Sequence, residues 1–271
     1  MGSSVSSKSP KDFDIRYDRR VSPEFLKHFT NGFAVPLVEM AKNAAAPLAL
    51  DRCRAVLGTG HPQGVRSHGT TEGVVQSALS KATANDLVML DREVTPSFRD
   101  QATKSRIIKA CMAPLVEAVA GANVKATNRP QKFGTECDLL AVDQDGRLLA
   151  VEVKPLDAGS IAWVPAQAAM YASVLQRWIR DDAAASDGYK PREVIAGMLH
   201  QRRRLGHAPG FTVELPRSLT VTPVVALQRG ASAAKKDQML AVRDELVDAE
   251  TGVPPVELYE VSITGRLTRI S

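Results

Sequence analysis

The stretch GTECDLLAVDQDGRLLAVEVKP, residues 134–155, decides the fold that the sequence predicts. Two mostly apolar runs flank the turn sequence DQDG, and this pattern indicates two antiparallel strands joined as a β-hairpin. Both faces of the hairpin are apolar over most of their length, as in a central hairpin that is covered on two sides. The exceptions are Asp138, Glu152 and Lys154, which place charge at one end of it.

The length of the turn decides whether these charges share a face. A two-residue turn would place Asp138 opposite Val153 and would leave Glu152 on the other face. A three-residue loop, 144–146, with Gly146 in the left-handed conformation, places Asp138 directly opposite Glu152. Only the second register gathers the charges, so a functional interpretation of the hairpin requires a loop of odd length.

Two opposed carboxylates at this position have a specific chemical meaning. Asp138 and Glu152 repel each other unless a cation or a proton lies between them, and hard oxygen ligands select Mg²⁺ or Mn²⁺. Lys154 lies on the same face, where it can orient a water molecule or stabilise negative charge at a phosphate. The alternative is a solvated salt bridge at a sheet edge, with Glu136 or Glu152 paired to Lys154 and no catalytic role.

Periodicity elsewhere predicts the order of the core elements. Apolar residues recur at intervals of three and four before Gly121, which indicates a helix ending there. A short extended piece follows, then the hairpin, a helix with Pro165 in its first turn, a further helix and a strand at 219–228. The core order is therefore helix, strand, strand, strand, helix, strand, in a fold of the α/β (α+β) class. A charged helix at 234–248 and a last strand complete the chain.

The charged hairpin resembles the PD-(D/E)XK nuclease superfamily, whose hallmark is an Asp on one strand and Glu-X-Lys on the next. Here these are Asp138 and the Glu-Val-Lys of 152–154, and the resemblance covers about residues 100–230. It implies a restriction-endonuclease-like core, with a central mixed sheet flanked by helices. It also implies Mg²⁺- or Mn²⁺-dependent hydrolysis of phosphodiester bonds in nucleic acid, DNA more readily than RNA. Asp138, Glu152 and the backbone carbonyl of Val153 would hold the metal, and Lys154 would position or activate the attacking water.

A second motif narrows the resemblance to the RecB-like and lambda-exonuclease branch. Gln167 and Tyr171 match its Gln-X-X-X-Tyr signature, and residues four apart share a helix face. Both can therefore face the charged end of the hairpin and orient the site or the substrate strand. The alternative is that Tyr171 packs in the core with Trp178. The family often adds an acid from its first helix, for which Glu117 is the candidate, although a solvated helix residue explains Glu117 equally well.

A basic run near a helix end is the candidate for contact with the substrate backbone. Arg202, Arg203 and Arg204 could contact phosphates, or they could simply be cations at a solvated helix terminus. The net charge of +5 and the sequence pI near 9.2 suit a polyanionic partner.

Composition bounds the remaining possibilities. The three cysteines have no paired spacing, and no apolar run approaches the length of a membrane span, so we expect a cytoplasmic protein without a membrane partner. We expect a disordered terminus at 1–12, an α+β region at 13–95 and the nuclease-like domain at 96–271. The front region is a candidate surface for a homodimer or a protein partner. The alternative function is a non-catalytic nucleic-acid-binding or assembly module on a nuclease-like scaffold.

Overall fold

The structure, a computed structural model, describes residues 4–7, 13–16, 70–81, 86–126, 129–134, 136–159, 161–181, 190–204, 208, 210–247 and 251–270. The chain divides into two compact units, Met1–Thr70 and Thr71–Ser271. Among the described residues, no helix is long and apolar enough to cross a membrane.

Two short strands are described in the first unit. β1 (Ser4–Ser7) pairs antiparallel with β2 (Phe13–Arg16), and Val5 lies opposite Ile15. The terminus expected at 1–12 contains β1, in which the β-branched Val5 pairs with Ile15. Residues 17–69 of the α+β region expected at 13–95 lie outside the described residues.

The second unit is a mixed α/β structure built on an open six-stranded sheet. Its strands lie in the order β3-β4-β5-β6-β7-β8, parallel from β5 to β7 and antiparallel elsewhere. The strands are β3 (Leu87–Val94), β4 (Cys137–Asp143), β5 (Leu148–Lys154), β6 (Val221–Gln228), β7 (Glu257–Val261) and β8 (Leu267–Arg269). The helices are α1 (Thr70–Lys81), α2 (Gln101–Gly121), α3 (Val164–Arg180), α4 (Pro191–Arg204) and α5 (Ala233–Val247).

The helices cover both faces of the sheet. α1 packs Val75 and Leu79 against one face, with Leu139 and Val153 among its neighbours. α2, α3, α4 and α5 contribute to the two clusters on the other face, and α3 is buried along almost its whole length. The hairpin β4–β5 is therefore central and covered on two sides, as its two apolar faces predict.

The predicted order of core elements differs from the observed one. The helix predicted to end at Gly121 is present as α2, but no strand lies in the described part of 122–136, and the strand beside β4 is β3, which precedes α2. Along the chain the elements run α1, β3, α2, β4, β5, α3, α4 and β6. β3 is an edge strand in which three of eight residues are charged, and the apolar pattern of the sequence did not identify it as a strand.

The same strand helps to explain where the chain divides into two compact units. The expected boundary at residue 95 follows directly after β3, whereas the chain divides at Thr70/Thr71. α1 and β3 belong to the second unit because α1 packs on the sheet and β3 forms its edge.

Candidate metal centre

The hairpin β4–β5 has the register that a metal site requires. Leu139 pairs with Val151, and the pairing continues to a three-residue loop in which Gly146 has φ +75°. Of the two loop lengths that the sequence left open, the structure has the three-residue one, with the glycine in the left-handed conformation. The same register, extended by one residue, places Asp138 of β4 opposite Glu152 of β5.

At this end of the hairpin the side chain of Asp138, in place of a strand carbonyl, accepts a backbone hydrogen bond from β5. Its Oδ2 atom accepts a hydrogen bond from the backbone N–H of Val153 at 2.7 Å, just beyond the last described pair of the ladder. The side chain therefore holds the two strand ends together, and it also interacts with the carboxyl group of Glu152. A carboxylate fixed in this way has little rotational freedom to lose when it binds a ligand.

Asp138, Glu152 and Lys154 form a charged cluster at this end of the hairpin. Glu152 is its most buried side chain, with 0% of its surface exposed. Lys154 Nζ lies 2.6 Å from Glu152 Oε1 as an ion pair, yet neither carboxylate oxygen has a hydrogen-bond partner of acceptable geometry. Buried carboxylates are normally fully hydrogen-bonded, because desolvation without compensation is costly. Glu152 therefore has bonding capacity that this arrangement of protein groups leaves unused.

A fourth charged residue joins the cluster from the other face of the sheet. Glu72 lies in the first turn of α1, and its Oε1 atom is 3.7 Å from Lys154 Nζ. Glu72 was not among the predicted site residues, because the helix expected to supply an acidic residue was α2, which carries Glu117. A helical pattern in 70–81, before a partly apolar strand, was the signal that could have identified it.

The pKa values of these groups indicate a strongly coupled cluster. Burial raises the pKa of Glu152 well above its ordinary value, and the charge of Asp138 raises it further. Burial also raises the pKa values of Asp138 and Glu72. Burial alone would lower the pKa of Lys154, but the neighbouring Glu152 outweighs it and raises that pKa. The carboxylates therefore hold a proton more readily than isolated ones, while Lys154 stays charged.

The two residues of the predicted Gln-X-X-X-Tyr motif are in contact with each other. Gln167 Nε2 donates a hydrogen bond to Tyr171 Oη at 2.7 Å, and both lie on α3. Burial and the charge of Glu152 raise the pKa of Tyr171, so this phenol lies within the field of the charged cluster. A Cβ atom at Gly134 would lie 3.2 Å from Tyr171 Oη, and glycine there lets the chain before β4 pass close to the hydroxyl.

The other predicted site residues lie apart from this cluster or have protein partners. Glu117 is exposed on α2, and no contact joins it to the cluster in the described part of the chain. Arg202 Nε donates to the backbone oxygen of Leu90 at 2.8 Å. Arg203 donates to the backbone oxygens of Phe211 and Val213. These two guanidinium groups thus hold loops and strands together, and the side chain of Arg204 is outside the described structure.

The residues present fit a divalent cation by the chemistry of their donors. Asp138 and Glu152 provide hard oxygen ligands, and the unused oxygens of the buried Glu152 match the need of Mg²⁺ or Mn²⁺ for such ligands. As the described side chains stand, no three His, Cys, Asp or Glu groups converge closely enough to hold an ion by themselves. A cation here would therefore be held by few carboxylates and would keep several water molecules, as Mg²⁺ usually does.

Comparison with protein-family models, with curated proteins and with solved structures found no match.

Proposed function

We propose that this chain is a Mg²⁺- or Mn²⁺-dependent nuclease that hydrolyses phosphodiester bonds in nucleic acid, with DNA as the expected substrate. The proposal includes a restriction-endonuclease-like core made of α1, β3, β4, β5, α3 and β6. The observation that carries it is the fully buried Glu152 opposite Asp138 at the end of a central hairpin. Its Oε1 atom is ion-paired with Lys154, and its Oε2 atom has no hydrogen-bond partner of acceptable geometry among the described residues.

In the proposed mechanism the protein groups have separate tasks. Asp138, Glu152 and the carbonyl of Val153 hold the cation, which when bound supplies Lewis-acid activation of the scissile phosphate. Lys154 keeps its proton because its pKa is raised, so it donates hydrogen bonds to the attacking water or to a phosphate oxygen. Glu72 balances the charge of Lys154 and fixes its direction.

The Gln167–Tyr171 pair has a positioning role in the same proposal. Its hydrogen bond fixes the phenol beside the cluster, so the pair can orient the substrate strand against the metal site. Tyr171 does not supply a base, because its raised pKa keeps the hydroxyl protonated at neutral pH.

A pair of experiments tests the proposal. Purified protein is incubated with single- and double-stranded DNA and with RNA in Mg²⁺ or Mn²⁺, and Mn²⁺ binding is measured by titration calorimetry for wild type and D138N. We expect cleavage by wild type and loss of Mn²⁺ binding in D138N, with D145N, exposed in the hairpin loop, as the unchanged control. Absence of cleavage on all substrates, or equal Mn²⁺ binding by wild type and D138N, would favour the non-catalytic module instead.

A further inference from the structure

The edge strand β3 contains an irregularity next to the metal centre. Its pairing with β4 proceeds through Met89↔Ala141 and then resumes at Asp91↔Leu140, so Leu90 is an extra residue. This is a β-bulge, in which two residues of one strand oppose one residue of its partner. It lies only two pairs away from Asp138.

The bulge decides which charge faces Asp138. Continued without the extra residue, the pairing before the bulge would set Arg92 opposite Asp138. The observed pairing after the bulge sets Glu93 there. Arg92 instead donates from Nη2 to Gln76 Oε1 on α1 at 2.7 Å. The sheet therefore places a third carboxylate, rather than a guanidinium, beside the opposed pair.

Two further observations concern the backbone around the bulge. Glu93 has φ +53°, a conformation that is uncommon for any residue with a side chain. The carbonyl of Leu90 accepts a hydrogen bond from Arg202 Nε at 2.8 Å. Leu90 is only 2% exposed, so its carbonyl relies on Arg202 and not on solvent for this hydrogen bond.

Glu93 also differs from the other carboxylates in its exposure. It is exposed at the sheet edge, whereas Glu152 is completely buried and its Oε1 atom is ion-paired with Lys154 Nζ at 2.6 Å. Burial is the main cause of the raised pKa of Asp138, and the charge of Glu93 contributes to it. Glu93 is thus a solvent-exposed carboxylate whose charge acts on Asp138.

We propose that Glu93 is an outer acidic residue of the metal centre, which accepts hydrogen bonds from cation-bound water, and that Arg202 is a positioning residue that holds the bulge. This inference rests on the proposed metal site. Residues outside the direct ligands typically contribute a factor of about 10 to 100 in metal affinity. In a site with two carboxylate ligands and several water ligands, the metal affinity depends strongly on a residue that binds those water molecules.

Titration calorimetry with Mn²⁺ on the full chain tests the role of Glu93. We expect E93Q to bind Mn²⁺ about 10-fold more weakly than wild type, since the amide removes the charge and keeps the shape. D91N is the matched control, because Asp91 is exposed on the same strand and lies opposite Leu140 instead of Asp138. If E93Q binds Mn²⁺ as wild type does, or if D91N loses as much affinity, the inference is wrong.

A double-mutant comparison tests the role of Arg202. R202M should weaken Mn²⁺ binding in the wild-type background and have little further effect in E93Q, while R202K should retain most of the affinity. An equal loss from R202M in both backgrounds would show a general structural effect and overturn the positioning role. If R202M does not fold, R202Q, which is shorter and polar, is compared in both backgrounds instead, with the same expected results. Wild type and D138N with equal Mn²⁺ binding would overturn the proposed function as well, whereas a failure of E93Q alone overturns only this inference.

Discussion

Asp138 Oδ2 accepts a hydrogen bond at 2.7 Å from the backbone amide of Val153, so a candidate ligand on one strand also fastens the next strand. This relationship separates the effects of two substitutions at position 138. D138N keeps an oxygen that can accept from Val153, whereas D138A leaves this amide without its acceptor. We expect D138A to be less stable than D138N by about 1–3 kcal/mol in urea unfolding, although both lose Mn²⁺ binding. Equal stability of the two variants would contradict this role of Asp138.

Replacing Lys154 should separate catalysis from metal binding. K154M removes the cation that donates to water or phosphate, so we expect cleavage to fall by about 100-fold or more. Mn²⁺ affinity should not fall, because Glu152 loses only a competitor for its oxygen. Cleavage rates and calorimetry check both parts, with K109M, exposed on α2, as the control. Undiminished cleavage by K154M would be incompatible with the proposed mechanism.

Glu72 and Glu117 provide a direct test of which helix contributes to the site. Glu72 lies 3.7 Å from Lys154 Nζ, whereas Glu117 is exposed on α2. We expect E72Q to lower the cleavage rate by about 10-fold or more, since Lys154 loses a partner that fixes its direction. E117Q should cleave at the wild-type rate. If E117Q lowered the cleavage rate and E72Q did not, the acidic residue of the site would be Glu117 on α2, which was the candidate in the sequence.

Gln176 should be essential for stability and irrelevant to metal binding. Its Nε2 donates to the carbonyl of Leu219 at 3.2 Å, and its Oε1 accepts from the amide of Val221 at 2.9 Å. Q176L leaves both buried groups unpaired, so we expect the free energy of unfolding to fall by about 2–4 kcal/mol. Chemical denaturation measures this, and Q201L, exposed on α4, should change it by less than about 0.5 kcal/mol. A similar small effect in Q176L would mean that solvent replaces these bonds.

The ion pair between Arg147 and Glu257 should make the free energy of unfolding depend on pH. Partial burial works to raise the pKa of Glu257, but hydrogen bonds from Arg147 at 2.8 Å and from Tyr259 at 2.8 Å outweigh it. The pKa of Glu257 therefore lies below its ordinary value of 4.5. A lowered pKa stabilises the folded state above the unfolded-state value, and this contribution is lost as pH falls through the folded-state value.

E257Q should therefore lose about 1 kcal/mol relative to wild type at pH 7, and the difference should shrink below pH ~4.5. Urea unfolding between pH 3 and pH 7 measures it. E245Q, exposed on α5, is the control and should match wild type at pH 7. A difference between E257Q and wild type that persists unchanged at pH 3 would show that charge is not its cause.

The hairpin was predictable because its information is local. Two apolar runs, a turn with a glycine and the spacing of Asp138 and Glu152 fix one register once the loop has three residues. The buried helix α3 and the charged helix α5 were predicted for a similar reason, since their periodicity spans several turns. The hairpin and α3 carry most of the residues of the proposed metal site.

The contributions of α1 and β3 were not predictable in the same way. Glu72 approaches Lys154 only because α1 packs on the opposite face of the sheet, and no local pattern encodes that contact. Glu93 lies opposite Asp138 only because of the bulge at Leu90. Arg202 looked like a phosphate ligand in sequence, because a long cationic side chain does not reveal whether its partner is a substrate or a distant carbonyl.

The sequence by itself thus determined the central hairpin and limited its turn to two registers, one of which opposes Asp138 and Glu152, because strand alternation and turn geometry act over a few residues. Only the tertiary structure decided which other charges join them. Glu72 comes from a helix that packs across the sheet, and Glu93 comes from an edge strand whose register depends on one extra residue. Contacts between distant segments depend on how whole elements pack, and packing is a property of the complete fold.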